Sequence, residues 1–287
     1  MSKKDFKKSI IVQGGGFRTG FSTGVLDAFL TAGYNDFDLY IGVSGGSIAI
    51  SYFLSEQYQK CFDAMCLLAE DPNFLSFNRM IWNQAVMDID YFHEVADNLI
   101  PFDVHKALEN ANKKELAFVM TDRNTGEPHY YHPNKKTWIE AVIASCTLPF
   151  VTKGKHFLHG VEYMDGGWSD PLPVEWAYEH GSREMVVIRT SPADLKANQS
   201  WSDYFGTFVF RSNENLKNCF ETNHQKYNES IEFLNNPPAD LTIKQIAPDS
   251  PLRAGTYSNS VNAITADYRH GVQAGLDFIF KVKQGIL

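Results

Sequence analysis

A serine stands between glycines early in the chain, in Gly42-Val43-Ser44-Gly45-Gly46. It follows the apolar run Asp38-Leu39-Tyr40-Ile41-Gly42-Val43 and precedes an apolar stretch from Ile48 to Leu54. That order predicts a strand, a sharp turn and a helix, with the serine hydroxyl projecting from the apex. The free N–H groups and positive dipole end of such a helix face the place where an acyl oxyanion would form. One unit upstream, Ile10–Gln13 reads as a strand that runs into Gly14-Gly15-Gly16-Phe17-Arg18-Thr19-Gly20 and then a helix from Phe21 to Ala32. Consecutive βα turns of one parallel sheet lie side by side at the carboxyl ends of their strands. One turn offers a nucleophile and the other offers bare backbone amides.

Attack by serine also needs a base and a groove for the substrate. The α/β-hydrolase order of Ser, Asp and His is excluded by position, because Ser44 follows only the second strand. The late histidines are His224 and His270, and His270 lies inside a helical run without loop signals. A carboxylate is left. Asp165 ends an expected strand and is followed by Gly166 and Gly167, so it should reach the same sheet rim as Ser44. With a reference pKa near ~3.9 an aspartate is a weak base, but burial raises that value. Read alone, Asp-Gly is also a common turn dipeptide. Asp170 is a competitor, although Pro171 and the helix behind it point to a capping role.

The glycine loop lacks the last glycine of a dinucleotide fingerprint, and no Gly-Lys-Ser/Thr follows it as in a phosphate-binding loop. Two exposed amides are all that an oxyanion hole requires, and Gly15 and Gly16 can supply them. The formal charge of −8 over 287 residues argues against nucleic acid as a partner. It also gives no general pull toward an anionic membrane. Lys3, Lys4, Lys7 and Lys8 form a basic cluster that reads as a solvated tail over residues 1–8. The four cysteines, Cys61, Cys66, Cys146 and Cys219, form no CxxC pair, so free thiols, no metal site and no cofactor are expected. Neither a signal-peptide core nor a run of ~18 apolar residues is present, which points to a cytoplasmic protein without a transmembrane segment.

Farther along, Glu56–Asp71 is expected to continue as helix. Residues 73–92 hold many large apolar side chains without a full period. A helix pair on the core is one reading, and a flap lining an acyl groove is the other. Hairpins are expected over 115–132 and 155–164, helices over 137–146, 173–180 and much of 200–235, and strands at 184–190 and 241–246. A helix from Val261 to Val282 ends the chain. Alternating elements without a linker predict a single domain over residues 9–287 with a mostly parallel sheet between helices.

Together these motifs resemble the patatin-like phospholipases of bacteria. The resemblance rests on Gly-Gly-Gly-x-Arg, on Gly-x-Ser-x-Gly one βα unit later and on Asp-Gly-Gly after a central strand. It extends through Thr23–Leu30, Ala144–Pro149, Asp165–Val174 and Asp267–Gly271, and covers residues 9–285. It implies an α/β fold, a three-layer α/β/α sandwich with a mostly parallel central sheet. It also implies a serine-dependent lipid acyl hydrolase that works with a Ser-Asp dyad and no histidine. Ser44 matches the nucleophile, Asp165 the base, and Gly14, Gly15 and Gly16 the oxyanion loop. Arg18, Gly42, Gly46, Gly166 and Gly167 match supporting positions, with Arg18 read as holding the loop. The implied substrate is a lipid or other acyl ester, which can lie at a membrane surface. A weakly catalytic lipid- or partner-binding protein and an acyltransferase are the alternatives. Thr19 stands where the family has glycine.

Overall fold

The computed structural model describes residues 8–82, 84–258 and 260–287. Of the expected tail, residues 1–7 lie outside this range. Lys8 is tied down: its amide donates to Asp38 Oδ2 at 3.0 Å and its ammonium lies 3.9 Å from the Tyr34 ring centre.

The first half of the chain supplies β1 (Ser9–Val12), α1 (Thr19–Ala32), β2 (Leu39–Val43), α2 (Gly45–Leu54), α3 (Lys60–Glu70), α4 (Tyr91–Glu94) and α5 (Val104–Asn110). Next come β3 (Glu115–Asp122), β4 (Pro128–Tyr131), α6 (Trp138–Ser145), β5 (His156–Leu158), β6 (Val161–Asp165) and α7 (Val174–Glu179). The last part adds β7 (Glu184–Ile188), α8 (Trp201–Val209), α9 (Glu214–Asn235), β8 (Thr242–Ile246) and α10 (Val261–Lys283).

Strands β3, β2, β1, β7 and β8 are neighbours in that order and all parallel. Their apolar runs are continuous because helices cover both faces of the sheet. Ile10, Val12, Tyr40, Val186 and Ile188 point to the layer that holds Val25 and Phe29 of α1, Ile50 and Phe53 of α2 and Phe278 of α10. The alternate positions Ile11, Leu39, Ile41, Met185 and Val187 meet Val174 and Ala177 of α7 and Tyr227, Ile231 and Leu234 of α9. This period-two division makes the three-layer α/β/α sandwich that the alternation of elements predicts. Helices α1 and α10 touch backbone to backbone: a Cβ on Gly24 would fall 2.1 Å from the Tyr268 carbonyl oxygen, and one on Gly271 would fall 1.9 Å from that of Phe21. Among the described residues, no helix is long and apolar enough to cross a membrane.

The register around β3 positions the candidate site. β2 pairs with Glu115–Val119 and β4 with Phe118–Thr121, so the two lie on opposite edges. β6 pairs with Met120–Asp122, which also overlaps β4, so β6 shares the edge used by β2. β2 arrives parallel and ends at Val43 beside Val119, whereas β6 arrives antiparallel and ends at Asp165 beside Met120. The two strands thus run into each other end to end along one edge of β3.

Two expectations need correction. Helix does not continue through 56–59: Glu56 and Gln59 have φ of 56° and 61°, and the Asp27 carboxylate of α1 accepts the Gln59 amide at 3.2 Å. That tertiary contact stops the helix without a glycine or proline. Residues 73–92 do not form a helix pair. A 3₁₀ turn at Phe77–Trp82 and an antiparallel bridge between Leu75 and Met87 hold them, and Phe74, Met87, Ile89 and Phe92 line a cavity. Their side chains converge on that space rather than on one helix face, which is why they lack a period.

Candidate active site

At the apex of the β2–α2 turn, Ser44 has φ 55° and ψ −128°, outside the comfortable range of an L-residue. Close packing enforces the turn. A Cβ on Gly42 would lie 2.7 Å from Ser47 Cα, and one on Gly46 would lie 2.2 Å from the Val12 carbonyl oxygen, so only glycine fits at either place. The Ser44 amide donates to Ser145 Oγ at 3.0 Å, and Ser145 Oγ donates to the Val119 carbonyl at 2.8 Å. Ser145 is fully buried and couples α6, β3 and the elbow. Sequence reasoning did not single it out, because one serine at the end of an apolar helix carries no distinguishing signal.

Asp165 is the last residue of β6 and is 3% exposed. Burial pushes its carboxyl up to about 6, while the neighbouring Ser44 hydroxyl and the Gly167 amide pull the other way. Gly167 N–H donates to Oδ1 at 2.7 Å. The Asp165 backbone is clamped on both sides: its N–H donates to the Thr147 carbonyl at 2.7 Å, and its carbonyl accepts the Thr121 hydroxyl at 2.8 Å. Gly166 passes so close to β3 that a Cβ would meet the Val119 carbonyl oxygen at 2.2 Å.

The glycine loop closes over the same space. A Cβ on Gly14 would fall 2.6 Å from Ser44 Cβ. Gly16 has φ 56°, and a Cβ there would meet the Thr256 carbonyl oxygen at 2.2 Å. Thr190, two residues past the end of β7, fixes the loop by donating to the Gly14 carbonyl at 2.6 Å. Arg18 Nε donates to the Gly15 carbonyl at 3.3 Å. Among the described residues, the amides of Gly14, Gly15 and Gly16 donate to no other group.

Gly14, Gly15, Gly16, Arg18, Ser44, Asp165 and Gly167 line one cavity. Ser44, Gly16 and Leu148 also line an apolar cavity with Ile48, Met65, Leu68, Phe74 and Phe92. A third space continues from Ile48, Leu68 and Phe92 to Ala96 and Phe102. The hydroxyl therefore borders two spaces, one that carries the polar side chains Gln13, Arg18, Asp165 and Asn223 and one that is almost wholly apolar. This arrangement can carry acyl transfer: a nucleophile, a carboxylate poised near neutrality, unengaged amides, and room for a hydrocarbon chain.

The competing residues are elsewhere. Asp170 accepts the Tyr130 hydroxyl and lines none of these spaces, and the α7 N-terminus has no side-chain cap. His270 packs edge-on to Phe21 at 5.1 Å, and His224 lies on α9 with a buried, unpartnered Nδ1. All four cysteines are free.

A domain of unknown function (DUF6363) matches residues 213–286, which contribute α9, β8 and α10 to the layers described above. An uncharacterized protein of Escherichia coli strain K12, YjjU, is 28% identical over 276 residues, spanning 96% of this chain and 77% of its own length. The crystal structure of VipD from Legionella pneumophila aligns over 96% of this chain and 66% of the VipD chain, with a TM-score of 0.45 and 11% identity. The family model of the patatin-like phospholipases matches residues 10–178, more than half of the chain and the whole span from the glycine loop to Asp165. The chain belongs to the patatin-like phospholipase family.

Proposed function

We propose that the protein is a serine-dependent lipid acyl hydrolase of phospholipase A, lysophospholipase or carboxylesterase type, with Ser44 and Asp165 as its dyad. The observation that carries this reading is the meeting of a strained serine and a buried carboxylate beneath three unengaged glycine amides, at the mouth of an apolar cavity. Ser44 Oγ attacks the ester carbonyl carbon while its proton passes to Asp165. Amides of the Gly14–Gly16 loop hold the oxyanion. The intermediate collapses, the C–O bond to the leaving alcohol breaks, and Asp165 returns the proton to that alcohol. Water, deprotonated by Asp165, then attacks the acyl-serine ester; the C–O bond to Ser44 breaks, Asp165 returns the proton to Ser44 Oγ, and the fatty acid leaves.

The Gly167 N–H on Oδ1 fixes the orientation of the Asp165 carboxylate that accepts the proton. The acyl chain lies in the apolar cavity behind Ser44, and the leaving group lies on the polar side near Arg18. Residues 9–287 act as one domain, since β8 and α10 complete the sheet and the layer that hold the glycine loop. The four free thiols suit a reducing, cytoplasmic setting. Labelling by a fluorophosphonate, combined with hydrolysis across a panel of phospholipids, lysophospholipids and simple esters, tests the reading. Labelling that survives Ser44→Ala would refute it.

A further inference from the structure

Helix α8 is turned inside out relative to an ordinary surface helix. Trp201, Tyr204, Phe205 and Phe208 fall at i, i+3, i+4 and i+7, a single helical stripe. That stripe faces outward: Trp201 is 89% exposed and Phe208 63%. The inward positions are polar or small. Asp203 is buried and makes a reciprocal capping box with Ser200, and Gly206 sits against the Phe220 ring of α9. Helix propensity and capping account for the helix itself. Among the described residues, nothing accounts for its uncovered aromatic face.

The face borders the cavity that holds Ser44. Ser200, Ser202 and Asp203 line that cavity together with Asp165 and the glycine loop. The apolar surface continues across Phe150, whose ring meets Phe205 at 4.8 Å and Phe210 at 5.6 Å. Phe150 belongs to the loop after α6, and the same loop sends Leu148 into both the polar and the apolar cavity. Arg211 closes the far end, with its guanidinium 4.7 Å above the Phe208 ring and, among the described residues, no carboxylate partner.

We propose that α8 and Phe150 form the face by which the protein docks on a phospholipid surface, with the cavity mouth turned toward the lipid. The partner follows from the chemistry on the page, together with the acyl hydrolase reading above. Trp and Tyr combine an apolar body with a polar tip and suit the boundary between acyl chains and headgroups. The exposed face of α8 bears no charge, so it can enter that layer without desolvating an ion. Arg211 stands at its rim, where it complements phosphate. A second copy of the chain seated here would close the mouth that a lipid must enter. With a net charge of −8, the protein gains nothing from long-range attraction to anionic lipid, so the docking is apolar and tolerates salt.

The test uses the full chain carrying Ser44→Ala, so that lipid is bound and not consumed. Flotation with phosphatidylcholine vesicles should show binding that persists at high salt, and brominated lipid should quench tryptophan emission. Adding Trp201→Ser and Phe208→Ser should weaken vesicle binding by roughly tenfold or more. In the protein with Ser44 intact, the same two substitutions should leave hydrolysis of a dissolved short-chain ester unchanged, which also reports an intact fold. Failure of the Ser44→Ala protein to bind vesicles overturns the docking face. Loss of a dimer on substituting Trp201 and Phe208, without any vesicle binding, overturns it in favour of a second copy. Failure of the unaltered protein to cleave the short-chain ester counts instead against the hydrolase reading, and vesicle binding still decides the docking face.

Discussion

Ser44 and Asp165 meet end to end along one edge of a single strand. β2 delivers the serine just past Val119, and β6, running the opposite way, delivers the carboxylate beside Met120. Neither residue depends on a mobile loop for its place. The elbow is held by Ser145 and the aspartate by Thr121 and Thr147, so both backbones are fixed by buried hydrogen bonds to β3 and to the α6 end. In the proposed mechanism a pair held this way is preorganised, and little reorganisation would be left for the proton transfer.

If the two act as one unit, their losses should not add. Ser44→Ala and Asp165→Asn should each abolish most ester hydrolysis, and the double variant should be no worse than the more damaged single. Steady-state rates on a soluble ester, with circular dichroism to confirm folding, make the comparison. Asp165→Asn retaining most of the activity would remove Asp165 from the mechanism.

The raised carboxyl has two consequences of opposite sign. As a base, Asp165 must be ionised, so kcat/KM should fall as pH drops through about 6. For stability, a carboxyl whose value rises from 3.8 to about 6 on folding favours the fold while it is protonated, and that contribution is lost as pH climbs across this interval. The difference amounts to about 3 kcal/mol at most. Asp165→Asn, neutral at every pH, should therefore melt higher than the parent at pH 8, and the gap should shrink toward pH 4. Thermal unfolding of the two proteins across that range checks it.

Much of this was legible because the informative residues announce their own backbone. Gly42 and Gly46 around Ser44, and Gly166 directly after Asp165, mark turns where only glycine fits, and the unbroken apolar runs of β1, β2 and β7 mark strands covered on both faces. What stayed hidden depends on contacts distant in sequence. The break before α3 is made by Asp27, 32 residues away. Ser145 reaches Ser44 across 101 residues. The shared edge of β3 is a matter of register between three strands, and no local pattern encodes it.

Ser145 should behave as a positioning residue. Ser145→Ala removes the acceptor for the Ser44 amide and the donor to Val119. Leaving such buried groups unpaired costs about 1–3 kcal/mol of stability. The strained elbow should relax as well, so kcat on a soluble ester should fall while KM changes little. An unchanged kcat alongside the lost stability would make the residue purely structural.

Acyl-chain length should be set where the two apolar spaces join. Ile48, Leu68 and Phe92 line both of them. Leu68→Phe should narrow the passage and shift the preferred p-nitrophenyl ester to shorter chains, with the strain of overpacking near 1–3 kcal/mol. Each methylene that no longer enters should forfeit about fourfold in kcat/KM. The shortest esters and fluorophosphonate labelling should be unaffected. An unchanged chain-length profile would mean that the acyl group lies elsewhere.

Thr19, where the family has glycine, offers the last test. Its φ of −61° and ψ of −12° are ordinary for the first residue of a helix, so the backbone does not need glycine. The side chain is the unusual part. Its hydroxyl is buried without a partner among the described residues, and a Cβ built on Gly45 would lie 2.4 Å from it, so it fills the space that any side chain directly after Ser44 would need. Thr19→Val keeps the shape and removes the orphaned hydroxyl, which should raise stability by about 1 kcal/mol or more with kcat unchanged. Thr19→Gly frees the space beside Gly45, and kcat on a short-chain ester should be equal or higher, while stability falls by about 1 kcal/mol through lost packing and greater unfolded-state entropy. A steep drop in kcat for Thr19→Val, with the fold intact, would mean that the hydroxyl serves the reaction and that threonine is there for its oxygen.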